Sequence, residues 1–533
     1  LAAIIASCAM VLSLTACTSD NKTVVDGQTT VTSNSAGGVA VFTPSDGITL
    51  NQQTPLNKWA KLVPDLAKAL ADAGFKKGDI DHTTSDSLAK QSRAIQDFVV
   101  DHLSNNTTDD SGIAIAPDNM TLLVAPVVEA DASTRQYGDY ISQNLSTNDA
   151  TDGEATSDGE SSEDDSSKDD SSNTESDSTA SDEQAQAVDR LVSSLKLAKE
   201  SGMHVVLLGN SIEGYKPDAF VKFSDAQTIG KLQAEKMVSK LKLDKASKDN
   251  PKYIEVLLPY TAVDEKGNAN DSTFAQEAFR GIWQVLGSYY QKGVVESPSG
   301  TLDGKSTEND WQAVAYDAAK EGSTAKVLDK RLAKTDGQST LTRIDGIITM
   351  NDYIASEVVK ELDDLGYTGS AADINPQITI SGIVGNITGK KDLSRDAVPD
   401  PIKSPENDNA NDSSSSDDDA DEDTSASDKD RDSQWPLVTG YGAYVSNIPS
   451  IVNGKQWMTG MEDRQTIATD IAQACAKLNK DEALNSMPSI RNSEVGGVKK
   501  IPTISEPLLA VSASNLKSAL IDPGYISLAD AGL

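Results

Sequence analysis

Few side chains in this 533-residue chain have the types and spacing that catalysis needs. The three histidines, His82, His102 and His204, are scattered without metal-ligand spacing, and no Cys-x-x-Cys accompanies them. Gly300 to Gly304-Lys305-Ser306 approaches a phosphate loop but is one residue short of its spacing. Gly209-Asn210-Ser211-Ile212-Glu213-Gly214 is not the Gly-x-Ser-x-Gly elbow of a nucleophilic serine. No catalytic group, metal or cofactor is therefore expected. What remains are groups that bind without reacting. Asn351 and Asp352 close the apolar run Ile344–Met350 just before a helical stretch. They suit either a polar ligand at a strand end or the cap of that helix, and the sequence leaves both open.

The ends and the charge set the context. Leu1–Ala16 is apolar and small except for Ser7, Ser13 and Thr15, too short for a spanning helix and suited to the core of a secretory signal. No Met or basic segment precedes Leu1, so the sequence is expected to start inside that signal. Leu14-Thr15-Ala16-Cys17 resembles the lipobox of bacterial lipoproteins, which implies lipidation of Cys17 and a polar tether over 17–36, with the protein held at the extracytoplasmic face of a cell membrane. With Cys8 in the signal, Cys475 has no internal disulfide partner and falls on an apolar helical stripe, as a buried thiol would. The net charge of −35 argues against a nucleic-acid partner. Much of it sits in two Ser/Asp/Glu tracts, 146–183 and 404–434, which have too little apolar content to fold and are expected to be disordered insertions. Neither contains the Asp-x-Asp-x-Asp-Gly pattern of a calcium loop.

Between these tracts strands and helices alternate. The predicted strands are Gly38–Phe42, Ile113–Pro117, Val205–Gly209, 253–258 and 344–350; the predicted helices include the stretch around Trp59–Leu70, one through Val188–Leu195, and 226–242, 272–290, 310–333 and 352–365. Pro64 inside the first helical stretch predicts that its regular part starts there, with Trp59 on the approach. Such alternation implies an α/β fold with parallel sheets covered on both faces, and ligands at the carboxyl ends of strands. Thr43, Pro117, Gly209, Pro259 and Asn351 are the candidate pocket edges.

Several landmarks in order resemble the periplasmic sugar-binding proteins of the type I fold, most closely their xylose-binding and multiple-sugar-binding branch. They are Ile113–Pro117, Lys199–Val206, Asp225 with Gly230-Lys231-Leu232-Gln233-Ala234, Phe279-Arg280-Gly281, Ile344–Asp352, Gly454–Thr459 and the closing segment Ile501–Tyr525. The resemblance implies two Rossmann-like lobes joined by a three-stranded hinge and closing on a ligand. It places the crossings near Gly209–Ser211, near Gly440–Tyr441 and around Met487–Pro507. The first lobe would comprise 37–210 and 441–487, the second 211–440, with 488–533 as final crossover and C-terminal segment. It also implies a carbohydrate ligand, ABC permease partners and no enzymatic activity. The alternative use of such lobes is a lipid-anchored sensor presenting its ligand to a receptor kinase or chemoreceptor.

A monosaccharide needs aromatic faces for its C–H surfaces and hydrogen-bonding groups for its hydroxyls. The resemblance assigns these roles to Trp59 and Trp311 as stacking rings, with core packing the alternative for each, and to Arg280, Asn351 and Asp352 as polar partners. It also exposes departures. Gly209 and Asn210 stand where an Asp-Arg pair is usual. Gly442 and Tyr444 replace two aspartates when Val438–Tyr444 is aligned, and an alignment to Ile380-Ser381-Gly382 lacks the aspartates too. With Tyr441 and Tyr444 nearby, the pocket is expected to be more aromatic and less ionic than a xylose site, for a larger, less polar or modified saccharide.

Overall fold

The computed structural model describes residues 22–25, 28–31, 36–45, 55–105, 115–128, 134–147, 175–263, 270–318, 320–333, 341–371 and 435–533. Cys17, the signal segment 1–16 and the tract 404–434 lie outside them. The expected tether contains a short antiparallel hairpin, Lys22–Val25 with Gln28–Val31. Of the tract 146–183, only 148–174 lies outside the described residues. Residues 175–183 correct the expectation of disorder, because they form the first turns of the helix Glu175–Glu200.

The first lobe is built on a seven-stranded sheet. Its order is Ile490–Val495, Val498–Ile504, Ala219–Val221, His204–Leu208, Met120–Val124, Gly38–Pro44, Ile80–Ser85, all parallel except the first edge strand. The period-two alternation of a strand explains why both faces are apolar. Val39, Val41, Leu123, Val206 and Leu208 face the helices Trp59–Asp72 and Arg464–Leu478. Ala40, Phe42, Leu122, Val124, Val205 and Leu207 face Leu88–Asn105 and Glu175–Glu200.

The second lobe has a four-stranded parallel sheet, Val295–Glu296, Lys252–Val256, Gly346–Ile348, Leu437–Thr439. It is extended by Met458–Met461, which bonds back to it through Trp457 N to Val438 O and Gly460 N to Gly440 O, and which pairs antiparallel with Leu509–Ser512. Helices Ala226–Lys240 and Thr273–Gln291 cover one face, Ser323–Arg331 and Asp352–Asp364 the other. Two of the sequence landmarks are explained by packing. A Cβ on Gly230 would strike Ala278 O and one on Gly281 would strike Gln227 O, so these two helices touch backbone to backbone. Gln233 ties the helix to the sheet, donating to Met350 O and accepting from Thr439 Oγ1.

The fold class is as expected, α/β with two doubly wound lobes and three crossings, but several positions differ. Of the strand expected at Ile113–Pro117, Ile113 and Ala114 lie outside the described residues; the strand found is Met120–Val124, with Pro117 starting a single turn just ahead of it and Pro126 following its carboxyl end. Ala219–Val221 pairs with His204–Leu208, so the first crossing falls after Val221 rather than near Gly209–Ser211. Met458–Met461 remains with the second lobe, so the second crossing falls at Glu462–Asp463 rather than Gly440–Tyr441. The third lies between Ile504 and Leu509. The helix expected over 310–333 is two pieces, Trp311–Val314 and Ser323–Arg331, separated by the strand Ala315–Tyr316.

Candidate functional site

The first helix begins at Trp59 itself, five residues ahead of Pro64. Lys58 offers it no side-chain cap. Asp139, from a distant segment, supplies one: its Oδ2 accepts from Trp59 N at 3.1 Å and its Oδ1 pairs with Lys58 Nζ at 2.7 Å. A carboxylate at a helix N-terminus satisfies an otherwise unpaired donor and interacts favourably with the dipole. That is how the helix starts before its proline.

Trp59 is buried, at the face where the first lobe's strands end. Its ring meets Phe223 edge-on at 5.7 Å, and Tyr140 is seated against both: edge-on to Trp59 at 5.0 Å and stacked on Phe223 at 4.6 Å with 21° between planes. Gly209, at φ +71°, lets the chain turn against these rings. Asn210 is buried, its Oδ1 accepting from Gln143 N and its Nδ2 donating to Pro126 O.

On the second lobe, Asn351 caps the helix Asp352–Asp364 through Oδ1, which accepts from Ile354 N at 2.9 Å. Its Nδ2 remains available and donates to Gln136 Oε1. The Asp352 carboxylate is turned into the protein. It is fully buried and accepts from Tyr444 N, Gln456 Nε2 and Thr459 Oγ1 at 2.7–2.9 Å. Burial pushes its carboxyl up to about 6, against the lowering effect of those three bonds. A Cβ on Gly440 would collide with this carboxylate, so Gly440 is required by the buried group beside it. Tyr444 donates its hydroxyl to Gln136 O at 2.7 Å. Tyr441 is buried, with its hydroxyl 2.6 Å from Ser224 Oγ.

Two expected residues stand apart from this cluster. Arg280 is half-exposed on Thr273–Gln291 and pairs with Glu277 one turn earlier. Trp311 is half-buried and packs edge-on against Tyr260 at 5.1 Å.

Sequence reasoning missed the segment that lies between the lobes. In Thr134–Leu145, Tyr137 and Tyr140 are each 1% exposed. Tyr140 packs into the first-lobe core, while Tyr137 and Ile141 pack into the second, Tyr137 lying 4.7 Å from Phe274 and 6.3 Å from Tyr441. The available signal was the pair of tyrosines three apart in Tyr137-Gly138-Asp139-Tyr140, in an otherwise polar stretch. Glu462 was missed as well. It is buried at the second crossing and accepts from Ser224 N and Oγ at the first, 2.7 and 2.5 Å away, with Tyr441 Oη at 3.4 Å. Burial holds its carboxyl above the usual range. A lone Glu after a short strand carries no sequence signature of such a role.

Among the described residues no group of His, Cys, Asp and Glu is arranged to hold a metal ion, and no helix is long and apolar enough to cross a membrane. No family model and no curated protein matches the chain. Solved structures do. A Clostridium phytofermentans ABC transporter solute-binding protein with bound β-D-glucose is 17% identical, with 92% of this chain and 99% of that one covered and a TM-score of 0.44. A Chloroflexus aurantiacus carbohydrate transporter solute-binding protein in complex with D-glucose is 19% identical over 94% and 98%, with a TM-score of 0.42. A periplasmic ribose ABC transporter from Conexibacter woesei is 13% identical over 91% and 96%, also at 0.42. These structural neighbours are sugar-binding components of ABC transport systems.

Proposed function

We propose that this chain is an extracytoplasmic solute-binding lipoprotein, anchored through lipidated Cys17, that captures a carbohydrate between its lobes and delivers it to the permease subunits of an ABC importer. The observation that supports the ligand class most directly is the aromatic pair Trp59 and Phe223, against which Tyr140 packs. The carboxamides of Asn210 on the first lobe and Asn351 on the second bond to the same segment as Tyr140, at Gln143 N and Gln136 Oε1. Flat apolar faces with carboxamide groups around them suit a sugar ring. Two carboxylates of this region, Asp352 and Glu462, are taken up inside the protein. This favours a less polar, larger or modified saccharide over a plain pentose.

Mass spectrometry of the natively purified protein, followed by calorimetric titration with pentoses, hexoses and oligosaccharides, tests the reading. A saccharide that binds and draws the lobes together supports it. A plain xylose match of high affinity refutes the ligand preference. No binding of any saccharide, either by the intact chain or by a variant lacking the Tyr137 and Tyr140 rings, refutes the carbohydrate reading itself. Metabolic labelling with a palmitate analogue tests the anchor, which fails if Cys17→Ser is labelled as well as the unaltered chain.

A further inference from the structure

We propose that Thr134–Leu145 is a built-in occupant of the interlobe cleft, a strap that holds the lobes closed without ligand and must leave before a ligand enters. That the entering ligand is a carbohydrate rests on the function proposed above; the strap does not.

The strap touches both lobes as a ligand of a closing receptor would. Tyr140 packs against Trp59 and Phe223, and its hydroxyl donates to Lys58 O at 2.6 Å. Three residues earlier, Tyr137 packs on Phe274 of the other lobe. Polar contacts divide the same way. Asp139 engages Lys58 and Trp59 N on the first lobe; Gln136 engages Tyr444 and Asn351 on the second. A group that contacts both lobes favours the closed state by its differential affinity for that state. Four of the eight residues singled out in sequence as ligand holders hold the strap: Trp59, Asn210, Asn351 and Tyr444 each bond or stack with it.

The fit is close. Gly138 has φ +99°, and a Cβ there would lie 2.5 Å from Asn57 O, so the strap is pressed against the approach to the first helix. Yet it is lightly built. It consists of one turn, Arg135–Tyr137, and a two-residue pairing of Asn144–Leu145 with Ser211–Ile212. Against it, Asn57 Nδ2 is buried without a protein hydrogen-bond partner. Such a group is costly to bury unpaired, and a polyhydroxylated ligand would satisfy it where the strap does not.

If the strap competes with ligand, apparent affinity is reduced by the fraction of molecules whose cleft is free. The test uses the full chain, the double variant Tyr137→Ala/Tyr140→Ala, and the milder Tyr444→Phe, which removes the bond to Gln136 O. Small-angle scattering, amide hydrogen exchange and titration with the saccharide panel are measured on each. The expected results are a larger radius of gyration for the double variant, faster exchange over 134–145 in Tyr444→Phe, and saccharide affinity tighter by on the order of tenfold or more. In the intact chain, saturating saccharide should speed exchange over 134–145. The proposal is overturned if the folded double variant is as compact as the intact chain, if Tyr444→Phe leaves exchange of the strap unchanged, or if saccharide binds the intact chain while the strap stays protected. Should the double variant fail to fold, the exchange measurements on the other two forms decide. An opened variant that binds no saccharide leaves the strap standing and removes the carbohydrate reading.

Discussion

Asp352→Asn gives a test whose sign is fixed by the structure. Asp352 is fully buried, and its carboxyl is raised from 3.8 to about 6. Between those two values the folded state binds a proton that the unfolded chain has already released. Stability from this group is therefore greatest at low pH and falls as pH rises from about 4 to 7, the reverse of a salt-bridged aspartate. At 1.36 kcal/mol per pH unit, the whole gap corresponds to roughly 3 kcal/mol, of which roughly 2 falls between pH 4 and pH 7. Asparagine cannot ionise and is spared this loss. It also places an amide donor beside Gln456 Nε2, and Gln456 cannot simply turn over, because its Oε1 already accepts from Asn447 Nδ2. Asp352→Asn should therefore be destabilising at pH 4, by on the order of 1–3 kcal/mol for the lost bond. Its deficit should then shrink by roughly 2 kcal/mol by pH 7. Urea titrations of both proteins across pH 4–7 measure this difference and cancel the titration of every other acid. A deficit independent of pH, or one that grows toward pH 7, would refute the assignment of a raised carboxyl at Asp352.

Other outcomes follow from separate contacts. Arg331→Met should cost about 3–5 kcal/mol in denaturant unfolding, because it leaves Glu255 buried beside Ser299 without its cation. Gly281→Ala should cost roughly 1–3 kcal/mol by forcing its helix off Gln227 O, measured as a lowered thermal midpoint. Cys475 is fully buried and its thiol is pushed far up by burial, so thiol reagents should label it only after unfolding; rapid labelling of the native protein would contradict its position. Trp59→Ala should cost about 3–5 kcal/mol through the cavity left against Tyr140 and Phe223.

Much of the scaffold was legible because burial on both faces of a sheet leaves an apolar run in the sequence. Val205–Leu208 and Ile344–Met350 announced themselves that way, and helices 226–242, 272–290 and 352–365 came within two residues of Ala226–Lys240, Thr273–Gln291 and Asp352–Asp364. Errors arose where two apolar runs lay close together. Ile113–Ala116 competed with Met120–Val124, and only pairing with Gly38–Phe42 distinguishes them. At the site, residue types were legible but not their partners. Asp352 follows a strand, as a ligand residue would, but Gln456 and Thr459, about a hundred positions later, draw its carboxylate inward. The strap was illegible for the same reason: nothing local to Tyr137 or Tyr140 tells that Phe274 or Phe223 awaits it.

The strap also links cleft occupancy to the order of the first helix. Asp139 is the group that caps Trp59 N, a first-turn donor with no partner inside its own helix. When the strap leaves, that donor and the Lys58 ammonium lose their partner together with the aromatic contacts of Tyr140. A ligand that only stacks on Trp59 would regain the packing but not the cap, which is worth about 1 kcal/mol. One that also presents an oxygen to Trp59 N and Lys58 regains both. Discrimination in this cleft would then come less from charged side chains reaching for the ligand than from what a ligand restores in place of Asp139 and Tyr140.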